Sequence, residues 1–332
     1  MADDRILLAH GGGGVLMREL IEGVIVPALG GTAGALTDAA PVPGTDKLVM
    51  TTDAFVVKPL FFRGGDIGTL CVHGTVNDLA VSGAEPLALS MSLILEEGIE
   101  IETVRRVVES AYRAAQACGV RIVTGDTKVV AKGEADQLFV TTAGVGVLRT
   151  DVNPEGLREG DCVLINGPIA DHGVAVMSER DGIQFETRVQ SDSASVWPCV
   201  RALIDAGIDI RAMRDPTRGG LAATCVELAE ASNVTIALDE QAIPIRPETR
   251  AACDMLGLDP LTVANEGKVV AVVAANDAEK ALAVMKTMHQ GEQVAIIGQV
   301  TSKRAMPAYL KTRYGGERLV EMPYGEELPR IC

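Results

Sequence analysis

The stretch DLAVSGAEPLALSMSLILEEG, residues 78–98, decides the reading of the fold. Its first residues close a run, Ile67–Val81, whose apolar content suits a helix, and Ser82-Gly83 supplies a turn. Pro86–Leu95 follows as an apolar strand with proline at its first position, where a missing ladder donor is tolerated. A helix that turns directly into a long strand implies layers of helices on a sheet.

The same alternation extends outward. Upstream, Lys47–Val57 reads as a strand, and Arg5–His10 as a short one entering the glycines Gly11–Gly14 before a helix over Val15–Leu29. Downstream come a helix over Ile101–Ala117 and strands over Arg121–Val130 and Gln137–Leu148. Asn153-Pro154-Glu155-Gly156, inside the turn-rich Arg149–Asp161, marks a domain boundary. Beyond it the pattern restarts with strands at Cys162–Ile169, Val234–Leu238, Lys268–Ala274 and Val294–Val300. Helices are expected at Ser193–Ala206, Gly219–Ala231, Pro247–Leu256 and Ala278–Met288. The economical architecture is α+β in two halves, 1–148 and 149–303. A tail over 304–332, rich in Pro and Gly, is expected to be extended and mobile.

With 45 acidic and 30 basic residues, the net charge of −15 repels phosphodiester backbones and excludes nucleic acid as the main ligand. A nucleotide ligand would need metal to offset that repulsion, so Mg²⁺ is expected with it. The first residues lack the basic and apolar regions of a signal peptide, and no run is long enough to cross a membrane. Seven cysteines without a CxxC pair read as reduced thiols, and the chain is expected in the cytoplasm. Cys332 stands apart because it ends the sequence.

No GxxxxGK[ST], GxSxG, HExxH or EF-hand pattern is present, and four scattered histidines make no zinc site. A set of aspartates at strand ends or beside glycines remains: Asp38 in LTDAA, Asp53 in MTTDAFVV, Asp78 in GTVNDLAVSGAEP, Asp126 in VTGDTKVV and Asp215 in MRDPTRGGLA. Each alone also suits a cap or a turn. Converging, they would hold Mg²⁺ while substrate phosphates complete its shell. Gly11–Gly14 before a helix would add phosphate-binding N–H groups.

TTDAFVV, DLAVSGAEPLALSMSLILEEG, GDTKVV and DPTRGGLA together resemble the AIR-synthetase-like (PurM-like) superfamily of ATP-using enzymes. HGGGG at 10–14 with Pro329-Arg330-Ile331-Cys332 is similar to one family within it, the carbamoyl dehydratases of hydrogenase maturation. The resemblance runs through nearly the whole chain. It implies N-terminal domains that pair into a homodimer with a barrel-like core. It also implies that Cys332 receives a carbamoyl group from a carbamoyltransferase, HypF, and that ATP drives its dehydration to a thiocyanate. Cyanide would then pass to iron on a HypC–HypD scaffold. By the same resemblance Asp38, Asp53, Asp78 and Asp215 hold Mg²⁺–ATP, with Asn77 and Asp126 close by. Lys128 polarises the carbamoyl oxygen and Glu266, in ANEGK, serves as base.

Two other readings compete. One is a kinase or synthetase of the same superfamily acting on a free small molecule, which would have no use for Cys332. A selenophosphate synthetase would carry a reactive cysteine near the glycine loop, and none precedes Cys71. The other is a non-catalytic module that docks through its last residues, which leaves the aspartates unexplained.

Overall fold

A computed structural model of the chain describes residues 5–7, 19–30, 47–180, 188–288, 293–323 and 331–332. Asp38, the loop Gly11–Gly14 and Arg330 lie outside them, as does much of the expected first strand and helix. Two sheets organise the described residues. The first joins β1 (Leu48–Phe55), β4 (Ala84–Glu96), β5 (Arg121–Val130) and β6 (Leu138–Leu148) in the order β1-β6-β4-β5. Only β4 and β5 run parallel. A small ribbon of β2 (Phe61–Phe62) and β3 (Gly65–Asp66) leads into the first long helix.

That helix, α1 (Ile67–Val81), starts where Asp66 accepts hydrogen bonds from the Gly68 and Thr69 N–H groups while Thr69 returns one to Asp66. Only Thr69, His73 and Asp78 in it escape full burial, because one side packs on the sheet and the rest on the following helix and the second half of the chain. An all-round apolar helix needs that double cover. The second helix, α2 (Ile101–Cys118), is amphipathic and packs on α1 from outside; Gly119, at φ 73°, ends it in the left-handed region. Both helices cover one face of the sheet. The other face is open and carries Leu48, Met50 and Ile94 at 45%, 71% and 37% exposure.

The second sheet takes β7 (Cys162–Ile165), β8 (Ile210–Arg214), β9 (Thr235–Asp239), β10 (Val270–Val273), β11 (Ala295–Thr301), β12 (Ala308–Lys311) and β13 (Glu317–Leu319). Their order is β13-β12-β9-β11-β7-β10-β8, and only β12 and β9 are parallel. Strands β7 and β10, VLI- and VAVV-rich, are buried on both faces, so they read as apolar runs without alternation. Five helices flank the sheet: α3 (Asp171–Ser178), α4 (Trp197–Asp205), α5 (Gly220–Ala231), α6 (Pro247–Leu256) and α7 (Ala278–Met288).

The structure corrects the reading of the last segment. Residues 308–319 are not an extended tail: β12 lies between β9 and β13, with Leu310 buried. Pro307 is tolerated because it is used as an acceptor, its carbonyl taking the Ile236 N–H at 2.9 Å. The last two residues are docked as well. Ile331 is 3% exposed, and the Cys332 carbonyl accepts the Val56 N–H at 3.2 Å.

Candidate active site

Strand β1 and helix α1 bring two of the aspartates together. Asp53 pairs across the sheet with Thr142, on the face covered by α1, where the Thr75 hydroxyl donates to its Oδ2 at 3.3 Å. Thr51, two residues earlier and therefore on the same face, donates to Asp78 Oδ2 at 2.8 Å. Asp215 comes from the other half, just past the end of β8. Burial, then the Asp78 carboxylate, pushes Asp53 up to about 6. Burial, then Asp78 with Asp53 adding to it, pushes Asp215 up to about 7. Thr51, Asp78 and Asp215 line a groove of about 520 Å³ with Met213, Glu227 and Val152.

Glu266 joins the cluster from the second half of the chain. It is 2% exposed, and its Oε1 has no hydrogen-bond partner. Burial first, and then Asp215, Asp192, Asp53 and Asp78, hold its carboxyl well above the usual carboxylate range. An unpartnered buried carboxylate oxygen within the field of four aspartates is costly unless a cation or a proton joins it. Among the described residues no three carboxylate, histidine or cysteine side chains stand close enough to hold an ion by themselves. The donor set fits Mg²⁺ in its usual form, in which one or two carboxylates act with substrate phosphates.

The peptide around Glu266 is fixed at every polar group. Its N–H donates to Asp192 Oδ1 at 3.0 Å, and its carbonyl accepts from Asn77 Nδ2 at 3.1 Å. Lys268 pairs with Asp192 at 3.3 Å, with both side chains buried. Asn77 also accepts from the Val196 N–H and donates to the Ala194 carbonyl, so its amide is committed to joining the halves rather than turned to a ligand. A Cβ on Gly267 would stand 1.8 Å from the Asp192 carbonyl oxygen. Gly267→Ala is therefore expected to cost more than about 3 kcal/mol, read as a large drop in Tm or loss of soluble protein.

The structure does not bring Asp126 and Lys128 to this cluster within one chain. The register Asp53–Thr142–Met91–Gly125 sets Gly125 on the face of Asp53. Asp126 and Lys128, one and three residues on, therefore point to the open face. Both are exposed there, with Ile94 the partner of Lys128. Sequence reasoning missed Thr51, Asp192 and Asn265. Thr51 sits in the TTD run itself, whereas nothing local marks Asp192.

Cys332 lies close by. Val56, which holds it, is three residues along from Asp53, roughly 10 Å of strand.

The chain is a two-sheet α+β protein with carboxylates converging between its halves. The chain belongs to the AIR synthase related family, whose N-terminal domain model matches residues 34–148 and whose C-terminal domain model matches 158–311. Its full-length likeness is to proteins named HypE. The carbamoyl dehydratase HypE of Rhizobium leguminosarum bv. viciae is 49% identical, over 100% of this chain and 96% of its own length. A crystal structure of the hydrogenase maturation protein HypE in complex with ATP superposes with a TM-score of 0.93 at 44% identity, covering 98% of this chain and 99% of that one. A HypE–HypF complex gives 0.80 at 45% identity, over 83% and 91%.

Proposed function

We propose that this chain uses ATP to dehydrate an S-carbamoyl group on Cys332 to a thiocyanate, in service of hydrogenase maturation. The observation that carries the reading is the docking of Ile331–Cys332 beside the strand that bears Asp53. The likeness to a HypE bound to ATP supports the nucleotide, and the HypE–HypF complex supports a HypF-type carbamoyl donor. Delivery of cyanide to iron on a HypC–HypD scaffold completes the proposal.

The chemistry matches the residues. An amide oxygen leaves poorly, and transfer of the γ-phosphoryl group makes it a good leaving group. Loss of both N–H protons then gives the nitrile, ADP and phosphate. Carboxylates from the set Asp53, Asp78 and Asp215, one or two at a time together with the ATP phosphates, would hold Mg²⁺, which neutralises phosphate charge when bound. Glu266 is the base: burial and the neighbouring carboxylates raise its proton affinity, which makes it a stronger acceptor for the amide proton than an ordinary carboxylate. Asn77 and Asp192 orient it through its peptide.

Lys128 enters this site only through a second copy. The open face of the first sheet, with Met50 at 71% exposure, is an apolar surface of the kind that pairs. A homodimer formed there would bury Lys128 and Asp126 at the interface, where the cation could serve the neighbouring site. Met50→Glu is expected to give a monomer by light scattering, with at least about a tenfold loss of turnover.

The function is tested by mass spectrometry of the intact chain and its C-terminal peptide. After carbamoylation by a HypF-type donor, Mg²⁺–ATP should remove one water from an adduct on Cys332. ATP consumption with no adduct ever found on Cys332 would instead favour a kinase of free small molecules.

A further inference from the structure

His172 has no part in the chemistry above, yet it is fully buried and both ring nitrogens are used. Nε2 lies 2.8 Å from the Ile331 carbonyl oxygen, and Nδ1 lies 2.8 Å from the Ser191 hydroxyl. A carbonyl only accepts, so Nε2 must carry the proton, and in the neutral ring Nδ1 then accepts from the Ser191 hydroxyl. Burial keeps the proton affinity of the ring low and so favours the neutral form, whose tautomer the Ile331 carbonyl selects. Phe62 meets it edge-on, with centroids 5.5 Å apart, and fixes the ring plane.

The elements that aim this ring lead back to the carboxylate cluster. Helix α3 begins at Ala170, whose φ of 73° is left-handed and unfavourable for alanine. That turn is held by its N–H donating to Asn265 Oδ1 at 2.7 Å. The Asn265 amide in turn donates to the Pro216 carbonyl at 2.8 Å. Asn265 precedes Glu266 in the chain, and Pro216 follows Asp215. One side chain therefore sets the start of α3 in register with both acidic segments.

We propose that His172 is a positioning residue for Cys332: it latches the Ile331 carbonyl and holds the last two residues in the docked state, registered to the acidic cluster through Asn265. The inference rests on the proposed use of Cys332 for its purpose, but not for its test. Docking is an equilibrium, and a single neutral hydrogen bond shifts it by about three- to tenfold.

The test is the rate of maleimide labelling of Cys332 in the full chain, read at the C-terminal peptide without ATP or carbamoyl donor. The readout is therefore separate from whether dehydration occurs. His172→Phe keeps a ring against Phe62 and removes the donor; labelling should be about three- to tenfold faster. His172→Gln retains an N–H donor at similar reach and should restore a rate near that of the unaltered chain. Equal rates in all three proteins overturn the latch. Equal acceleration in Phe and Gln overturns it too, because it would mark general loosening. Should His172→Phe not fold, judged by thermal unfolding, His172→Leu carries the test: it fills the same buried space without a donor for the Ile331 carbonyl, and a labelling rate equal to that of the unaltered chain overturns the proposal.

Discussion

A chain carrying Cys332→Ala is expected to bind ATP, keep its fold and form no thiocyanate, a loss to background. The docked residues explain why the fold should survive. Val56 holds the Cys332 carbonyl and His172 holds the Ile331 carbonyl, so neither bond uses Sγ. The other cysteines are poor replacements, because burial disfavours their thiolates. Burial pushes the Cys199 and Cys225 thiols up to about 12 and Cys253 up to about 11, while Cys71 goes higher still. At neutral pH a thiol near 12 is thiolate about one part in 10⁵, too little to accept a carbamoyl group at a useful rate. Cys118 and Cys162 are also raised by burial. Nucleotide binding by calorimetry, together with peptide mass spectrometry, separates the outcomes. Retained thiocyanate formation on the variant would remove Cys332 from the mechanism.

How much of this was legible in the sequence depends on how local each cause is. Helix α1 has the bounds read from its pattern because Asp66 caps it and an unbroken apolar run follows. Strand β5 likewise matches, since its ends are set by Gly119 and by the loss of apolar residues after Val130. Strand β12 was missed because its stability comes from pairing with β9, about seventy residues earlier, which Pro307 and Gly315 hide locally. Helix α3 was missed for a related reason: its start has no capping side chain, and Ala170 is held by Asn265 from afar. In the site, the aspartates stand out because each sits in a motif. Asn265 and Asp192 act by bonding distant backbone, which leaves no pattern beside them. The parity of Lys128 needs the register of four strands, and one sequence does not contain it.

Asp215→Asn is expected to lower turnover by about a hundredfold or more while raising the stability of the metal-free protein. The carboxylate binds its proton more tightly in the folded state, up to about 7 against the ordinary 3.8. Below pH 4 it is protonated folded and unfolded, and contributes nothing either way. As pH rises from 4 to 7 the unfolded chain releases the proton and the folded chain retains it, so stability falls; above 7 the full penalty stands. The residue is half-buried, so solvent screening reduces that penalty to about 1–3 kcal/mol, or a few degrees in Tm. Asparagine removes it, and it also removes a carboxylate that raises Glu266. Melting curves of the two proteins should therefore coincide near pH 4 and diverge up to pH 7, the variant being the more stable. Mg²⁺–ATP should reverse the order at pH 8, because a ligand that needs the ionised carboxylate stabilises only the protein that has it. A variant that is less stable at pH 8 without metal would mean that Asp215 serves the fold, and the acidic cluster would lose one of its three aspartates as a metal site. A variant that gains stability and still responds fully to Mg²⁺–ATP would leave Asp53 and Asp78 to hold the ion alone.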